Sequence, residues 1–422
     1  VTPDGPIVTG LLVLLSAAVS AQETQSAPVQ EAEAHQRTLF DYLRHPDLHP
    51  VRSLLVDQEM PIVGIRWGAQ VQFDVPLNDE PDGAEATLRE ARLVFYRGFG
   101  PDWSGKVTAN YNSSGQFEIG DSYFVYTGWK TVKATMGAFR PAYSLESASK
   151  RIGLTFMERA LPVAALSERR TGGVSLTRRT SQSIMDMGLY LFSPDDEGQR
   201  EEGQALVVHY VHAPLDPGRG LGLLAGRDIW SGVSLSYRKN ARGPDTSFRS
   251  LPEVSVGNDY FVDTGAIDGA DRVLRLGFEA NKVMGSFSWQ TEILTAKVYR
   301  EQGKDVFFAG AYAYASWFLT GETRNYDSGT GVFRGVRPNK PLWRGGWGAW
   351  EIGIRASTVD LNDEDVVGGR QSDLSVGVNW YLDDQFRLQA NLVKVLDVHR
   401  PGSEFDGLDP WIAVLRVQWY MP

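Results

Sequence analysis

The 422-residue chain contains no cysteine. That excludes disulfide frameworks, thiol nucleophiles and cysteine-based zinc sites, and suits an exported bacterial protein. Beyond Val19 no stretch approaches the roughly 20 consecutive apolar residues that a membrane-spanning helix needs, so any passage through a membrane must use strands. Positive charge is in deficit as well: 42 Lys and Arg against 52 Asp and Glu give a formal charge of -10. A nucleic-acid partner is therefore not expected, because neutralising phosphates takes a basic surplus. Histidine is limited to six residues. His45 and His49 stand four apart in HPDLH, but Pro46 opposes the helix that would align them, and His209 and His212 in HYVH fall on opposite faces of a strand. No GxSxG elbow, P-loop or HExxH motif is present. The expectation is no metal site, no cofactor, no catalytic residue and no enzyme.

Glycine (44), Phe (19), Tyr (16) and Trp (12) are abundant, and mean hydropathy is -0.26. This composition points to many short strands with aromatic positions. The chain begins with an apolar run over residues 7–19 and a small-residue site at Val19, Ser20 and Ala21, which reads as a signal peptide over residues 1–21. Residues 22–60 are polar and lack period two, and read as a mobile periplasmic extension. From residue 61 onward alternation takes over. Ile65, Trp67, Ala69, Val71, Phe73 and Val75 oppose Arg66, Gly68, Gln70, Gln72 and Asp74, and DLSVGVNWYL is followed across Asp383 and Asp384 by FRLQANL as a hairpin.

About sixteen such segments recur, near 62–75, 88–97, 103–112, 117–127, 131–139, 172–180, 184–193, 204–212, 229–239, 272–282, 286–299, 306–319, 347–358, 371–382, 385–396 and 411–420. An even number of strands of roughly ten residues with one apolar side predicts an all-β transmembrane antiparallel barrel over residues 61–422. A soluble sandwich would need several domains, and no linker divides residues 62–422. Trp103, Trp129, Trp347, Trp350, Tyr381, Trp411, Trp419 and Tyr420 are expected in interfacial girdles. The sequence ends VQWYMP: Trp419 and Tyr420 keep aromatics close, but Pro422 departs from the terminal aromatic, often Phe, that the barrel-assembly machinery reads in barrels of this type. Glu322, Arg324 and Asp327 in LTGETRNYD suggest a loop salt bridge.

One segment does not alternate. Residues 142–179 hold seven basic residues (Lys150, Arg151, Arg159, Arg169, Arg170, Arg178, Arg179) and three acidic ones (Glu146, Glu158, Glu168), a local charge of +4. In a barrel this wide, selectivity has to come from something folded inward, and the connection between the fifth and sixth strands is the candidate. A basic surface loop facing lipopolysaccharide phosphates or solvent is the other reading.

MGAFRPAYSLE and TFMERALPVAALSERRTGGVSL closely resemble the phosphate-selective porin family, the porins O and P of Gram-negative outer membranes. FVDTGAIDGAD, GFEANKVMGSFSWQTEI, SWFLTGETRNYD, GAWEIGIRASTVDL and VGVNWYLDDQFRLQANLVKV continue the resemblance in order to the end of the chain. The resemblance implies a sixteen-stranded barrel, usually trimeric, with an inward third loop and basic residues that lead anions through the pore.

Face assignment supplies the candidate pathway. Arg140, Lys150, Arg151, Arg159, Arg169 and Arg170 belong to the constriction loop, while Arg66, Arg92, Lys106, Lys133, Arg275, Arg355, Arg387 and Arg416 point from the wall into the lumen. Asp74, Glu118, Asp186, Glu279, Glu292, Glu351 and Asp373 face the same way, so the wall by itself is nearly balanced. The function expected is passive diffusion of small anions, phosphate or related oxyanions, through an outer-membrane channel surrounded by lipid and lipopolysaccharide. A weakly selective general or organic-solute porin is the alternative. A plugged structural barrel is another, if the loop packs Phe156, Met157, Leu161 and Leu166 across the pore.

Overall fold

The computed structural model describes residues 65–77, 86–112, 115–180, 182–192, 203–212, 229–240, 246–254, 259–327 and 329–421. The expected signal peptide, the polar extension, and the HPDLH histidines with Pro46 lie outside these residues.

Sixteen antiparallel strands close into one barrel in chain order. They are β1 (Ile65–Pro76), β2 (Thr87–Phe99), β3 (Trp103–Asn112), β4 (Phe117–Tyr126), β5 (Val132–Phe139), β6 (Thr171–Arg179), β7 (Ser183–Phe192) and β8 (Gly203–His212), then β9 (Trp230–Asn240), β10 (Ala270–Met284), β11 (Phe287–Arg300), β12 (Val306–Phe318), β13 (Ala349–Asp363), β14 (Val366–Tyr381), β15 (Phe386–His399) and β16 (Trp411–Met421). Closure is made by β1, which pairs with β2 on one side and with β16 on the other, from Ala69↔Met421 to Pro76↔Val414. A closed ladder leaves no unpaired edge, which a strand in hydrocarbon cannot tolerate.

The polarity of the wall is the reverse of a soluble protein's. Leu189 is 63% exposed and Ile354 52%, whereas Gln72, Asp74 and Arg355 are fully buried. Lipid is the solvent of the outer face, so alternation puts apolar side chains outward and polar ones inward. Strands β10 to β15 run 13 to 16 residues, longer than the repeats suggest. The tight turn at Glu364, with left-handed backbone (φ 52°), lets β13 and β14 stay paired beyond their apolar section.

Trp103, Trp129, Trp347 and Trp411 are exposed as a girdle requires. Tyr381 and Tyr420 are not girdle residues: Tyr381 is 3% exposed and bonds Glu351, and Tyr420 shares the inward parity of Arg416 and Gln418. A register shift between Val107 and Ala109 in the β3/β4 ladder turns Asp121 and Tyr123 to the polar face. Gly137 (φ 130°) is required where β5 meets β4, because a Cβ there would lie 2.3 Å from the Ser122 carbonyl oxygen.

Candidate functional site

Residues 140–170 join β5 to β6 and contain two short helices, α1 (Leu145–Ala148) and α2 (Leu161–Leu166). Helices this short do not persist alone, so tertiary contacts hold them. The Ser144 hydroxyl caps α1 by accepting from Ser147 N, and Glu292 of β11 accepts from the amides of Leu145 (3.1 Å) and Glu146 (2.8 Å). Pro162 opens α2, where its missing N–H costs nothing. Phe156, Met157, Leu161 and Leu166 are each at most 2% exposed. Each fully buried Leu or Phe contributes about 1.5–3 kcal/mol. α2 lies on β11, β12 and β13, Phe156 rests where Gly353 and Gly377 leave the wall without side chains, and Met157 packs with Val393 of β15 and Val414 of β16.

All three acids of this segment are bound to arginines. Glu168 is completely buried and takes Arg238 Nη2 at 2.7 Å, Arg275 Nη1 at 2.9 Å and the Ser236 hydroxyl. Burial alone would raise its pKa, but the Arg238 and Arg275 guanidiniums prevail and hold it down, to about 2. Glu158 takes Arg416 at 2.7 Å, Arg151 at 2.9 Å and Arg89 at 3.3 Å, and Glu146 faces Arg355 at 3.5 Å while accepting from Ala160 N. Arg238 is absent from the candidates derived from sequence, although the alternation of Val233, Leu235 and Tyr237 with Ser234, Ser236 and Arg238 carries the signal.

The expected wall bases divide into two groups. Arg275, Arg355, Arg387 and Arg416 are at most 4% exposed and bind residues of the 140–170 segment. Arg387 donates to the Leu154 carbonyl (2.8 Å), and Arg416 grips both Asp74 oxygens and the Met157 carbonyl. Arg66, Arg92, Lys106 and Lys133, on β1, β2, β3 and β5, remain at least partly accessible. Arg92 pairs with Glu90 and donates to Asn110, while Lys106 and Arg170 share Asp121 at 2.7 and 3.2 Å.

The segment's own bases also differ. Arg159 donates to the carbonyls of Glu146, Ser147 and Ser149 and so braces the chain, and Arg140 donates to Ser147. Lys150 and Arg169 have no ion pair among the described residues. Partial desolvation, then the charges of Lys106 and Arg334, press the Lys150 pKa down.

Of the expected inward acids Glu292 and Glu351 hold the segment, and the others pair within the wall. Glu351 accepts from Thr155, Asn379 and Tyr381, Glu118 from Asn112, Asp186 from Thr177 and Asp373 from Gln371, and Glu279 stands 3.3 Å from His209. Two further insertions, invisible to alternation, complete the arrangement. Glu253 (φ 55°) receives Arg355, Ser357, Ser375 and the Leu161 amide, and so ties the 246–267 connection to α2. Arg324, in the 319–348 connection, donates to the Gly153 carbonyl and the Thr155 hydroxyl, both at 2.7 Å, and faces Glu351. The Glu322–Arg324–Asp327 trio therefore does not pair within itself; Asp327 binds Arg334 and Glu322 accepts from Thr320 and Asn339.

The family model described as phosphate-selective porin O and P matches residues 63–421. The chain belongs to that family. A porin of this kind is an outer-membrane channel, and the Gram-negative outer membrane is its location. The porin is 30% identical over 341 residues to an uncharacterized protein of Caulobacter vibrioides, a match spanning 76% of this chain and 66% of that one, just under two thirds. It is 26% identical over 333 residues to Porin O of Pseudomonas aeruginosa, covering 69% of this chain and 72% of the relative. Among solved structures it resembles OprB of Pseudomonas putida (TM-score 0.51, 8% identity, 84% of this chain and 93% of that one). A loop-deletion form of Vibrio cholerae OmpT is similar (TM-score 0.50, 10% identity, 84% and 98%). At such identities these two structures speak to the barrel alone.

Proposed function

We propose that the porin conducts small oxyanions, phosphate among them, with residues 140–170 folded inward to narrow the lumen to the side lined by β1 to β6. The observation that carries this reading is the disposal of charge. Glu146, Glu158 and Glu168 are occupied by arginines, including Arg238, Arg275, Arg355 and Arg416 of the wall. Lys150 and Arg169 keep no carboxylate partner among the described residues, and neither do the exposed wall bases Arg66 and Lys133. Cations without fixed partners in a confined lumen attract anions, and their spacing lets each bound ion leave. Assembly as a homotrimer, contact with lipopolysaccharide and insertion by the barrel-assembly machinery belong to the same proposal and rest on the family.

One observation favours a second reading, a plugged barrel: the burial of Phe156, Met157, Leu161 and Leu166. The exposure of Arg66, Lys133 and Lys150 favours a narrowed pore instead. Planar-bilayer recording of the refolded porin in a KCl gradient, with and without phosphate, decides between them. The expected result is an anion-favouring zero-current potential and phosphate block of chloride current, both weakened in Lys150→Gln and Arg169→Gln. Conduction without anion preference would leave a general porin. Silence from a verified folded barrel would establish the plug.

A further inference from the structure

The polar face carries one row in which cations and rings alternate across four neighbouring strands. Arg66 of β1 is in register with Tyr96 of β2, Tyr96 with Lys106 of β3, and Lys106 with Tyr123 of β4. The next two positions are Gly137 and Gly173, and the Tyr123 ring packs edge-on against Phe139 of β5, with ring centroids 5.8 Å apart. Tyr96 is no girdle residue, since its neighbours Leu93 and Phe95 take the exposed outer face at 43% and 38%. The Lys106 ammonium stands 5.4 Å from the centroid of the Tyr123 ring.

Other elements converge on the row. Tyr420 of β16 and Asp121 are within electrostatic reach of Tyr96, and Lys150 is within reach of Lys106, Arg92, Asp121 and Arg334. Arg334 also reaches Tyr420. Some of these charges are already matched: Arg92 by Glu90, Arg334 by Asp327, and Lys106 by Asp121, which Arg170 shares. Lys150 and Arg66 are matched by no carboxylate among the described residues. The layer thus has a surplus of positive charge next to three phenol rings.

An inorganic oxyanion uses only the charge and the donors. Flat apolar ring surface offers it nothing, whereas a ligand with its own ring gains both the burial of that ring and stacking or edge contact. We infer that the layer formed by Arg66, Tyr96, Lys106, Tyr123, Lys150 and Tyr420 binds anions that carry a planar aromatic ring, such as aryl phosphates or aromatic carboxylates. This rests on the anion-channel reading above and extends it to a class of organic substrate. The charge holds the acid group, and the rings on either side of Lys106 hold the plane of the ligand.

The test compares three blockers of chloride current through the porin at one pH and ionic strength: inorganic phosphate, methyl phosphate and phenyl phosphate. Phenyl phosphate should block at a concentration about threefold to tenfold below methyl phosphate, the scale of one aromatic contact. Tyr96→Leu should erase that difference, and Tyr96→Phe should keep it, because the ring and not the hydroxyl is required. Tyr123→Leu gives an independent test at the other side of Lys106. Equal block by phenyl and methyl phosphate in the unmutated porin overturns the inference, while block by inorganic phosphate leaves the oxyanion reading standing. Block by phenyl phosphate alone supports the inference and removes inorganic phosphate as substrate. No block by any of the three overturns both.

Discussion

At the scale of the residue, Glu168 ties the 140–170 segment to Arg238 and Arg275 of the wall. Two guanidiniums and a hydroxyl converge on one buried carboxylate, so removing its charge leaves Arg238 and Arg275 buried without a counterion. Breaking a buried pair in this way costs about 3–5 kcal/mol. Glu168→Gln should therefore lower the temperature at which the folded barrel converts to its unfolded form on an unheated-versus-heated gel; an unchanged transition would show that the pair is not an anchor. The sign with pH follows from the depressed pKa. The stabilisation is complete above the ordinary carboxylate range and fades only as pH falls toward about 2, so docking should survive mild acid. In the sequence Glu168 is one acid within a basic run. That it spends its charge on Arg238 and Arg275, 70 and 107 residues away, is a fact of closure.

At the scale of the element, the 140–170 segment is held by contacts from distant connections. Arg324 reaches the Gly153 carbonyl and Thr155 from the 319–348 connection, with the Phe333 ring 4.5 Å beneath its guanidinium, and the Phe333 amide donates to Ser149. Arg324→Met keeps an unbranched apolar stem and removes all the donors. The barrel should still form, because the ladders do not involve Arg324, but residues 149–155 lose their clasp and single-channel current should become noisier. Current noise indistinguishable from the unmutated porin would mean that the wall contacts of α2 suffice. The strands were legible because alternation with period two is local. The clasp was not, since RNYD and KRIGLT carry nothing that tells one segment where the other will lie.

At the scale of the whole molecule, net charge and pathway charge have opposite signs. The chain carries -10, yet many acids bind arginines or stand at exposed turns such as Asp363, Glu364 and Asp365, while the side of the wall made by β1 to β6 keeps accessible cations. Selectivity of this origin acts through space and is screened by salt. Raising KCl from 0.1 to 1 M shortens the screening length from about 10 to about 3 Å. The anion-to-cation permeability ratio should fall accordingly, and a ratio independent of salt would point to direct coordination or to size.

The sequence by itself determined the barrel and its sixteen strands, because an apolar outer face and a polar inner one impose a period of two, but not the register shift that turns Asp121 and Tyr123 inward. It also marked residues 142–179 as the segment that breaks the rule. Only the tertiary structure decided what each inward charge does. Arg275 and Lys106 look alike in alternation, but closure brings buried Glu168 to one, while the other, half-buried beside Tyr96 and Tyr123, takes the partly accessible Asp121. Whether a cation is an anchor or is open to an ion depends on what lies across the lumen, and that neighbour comes from far along the chain.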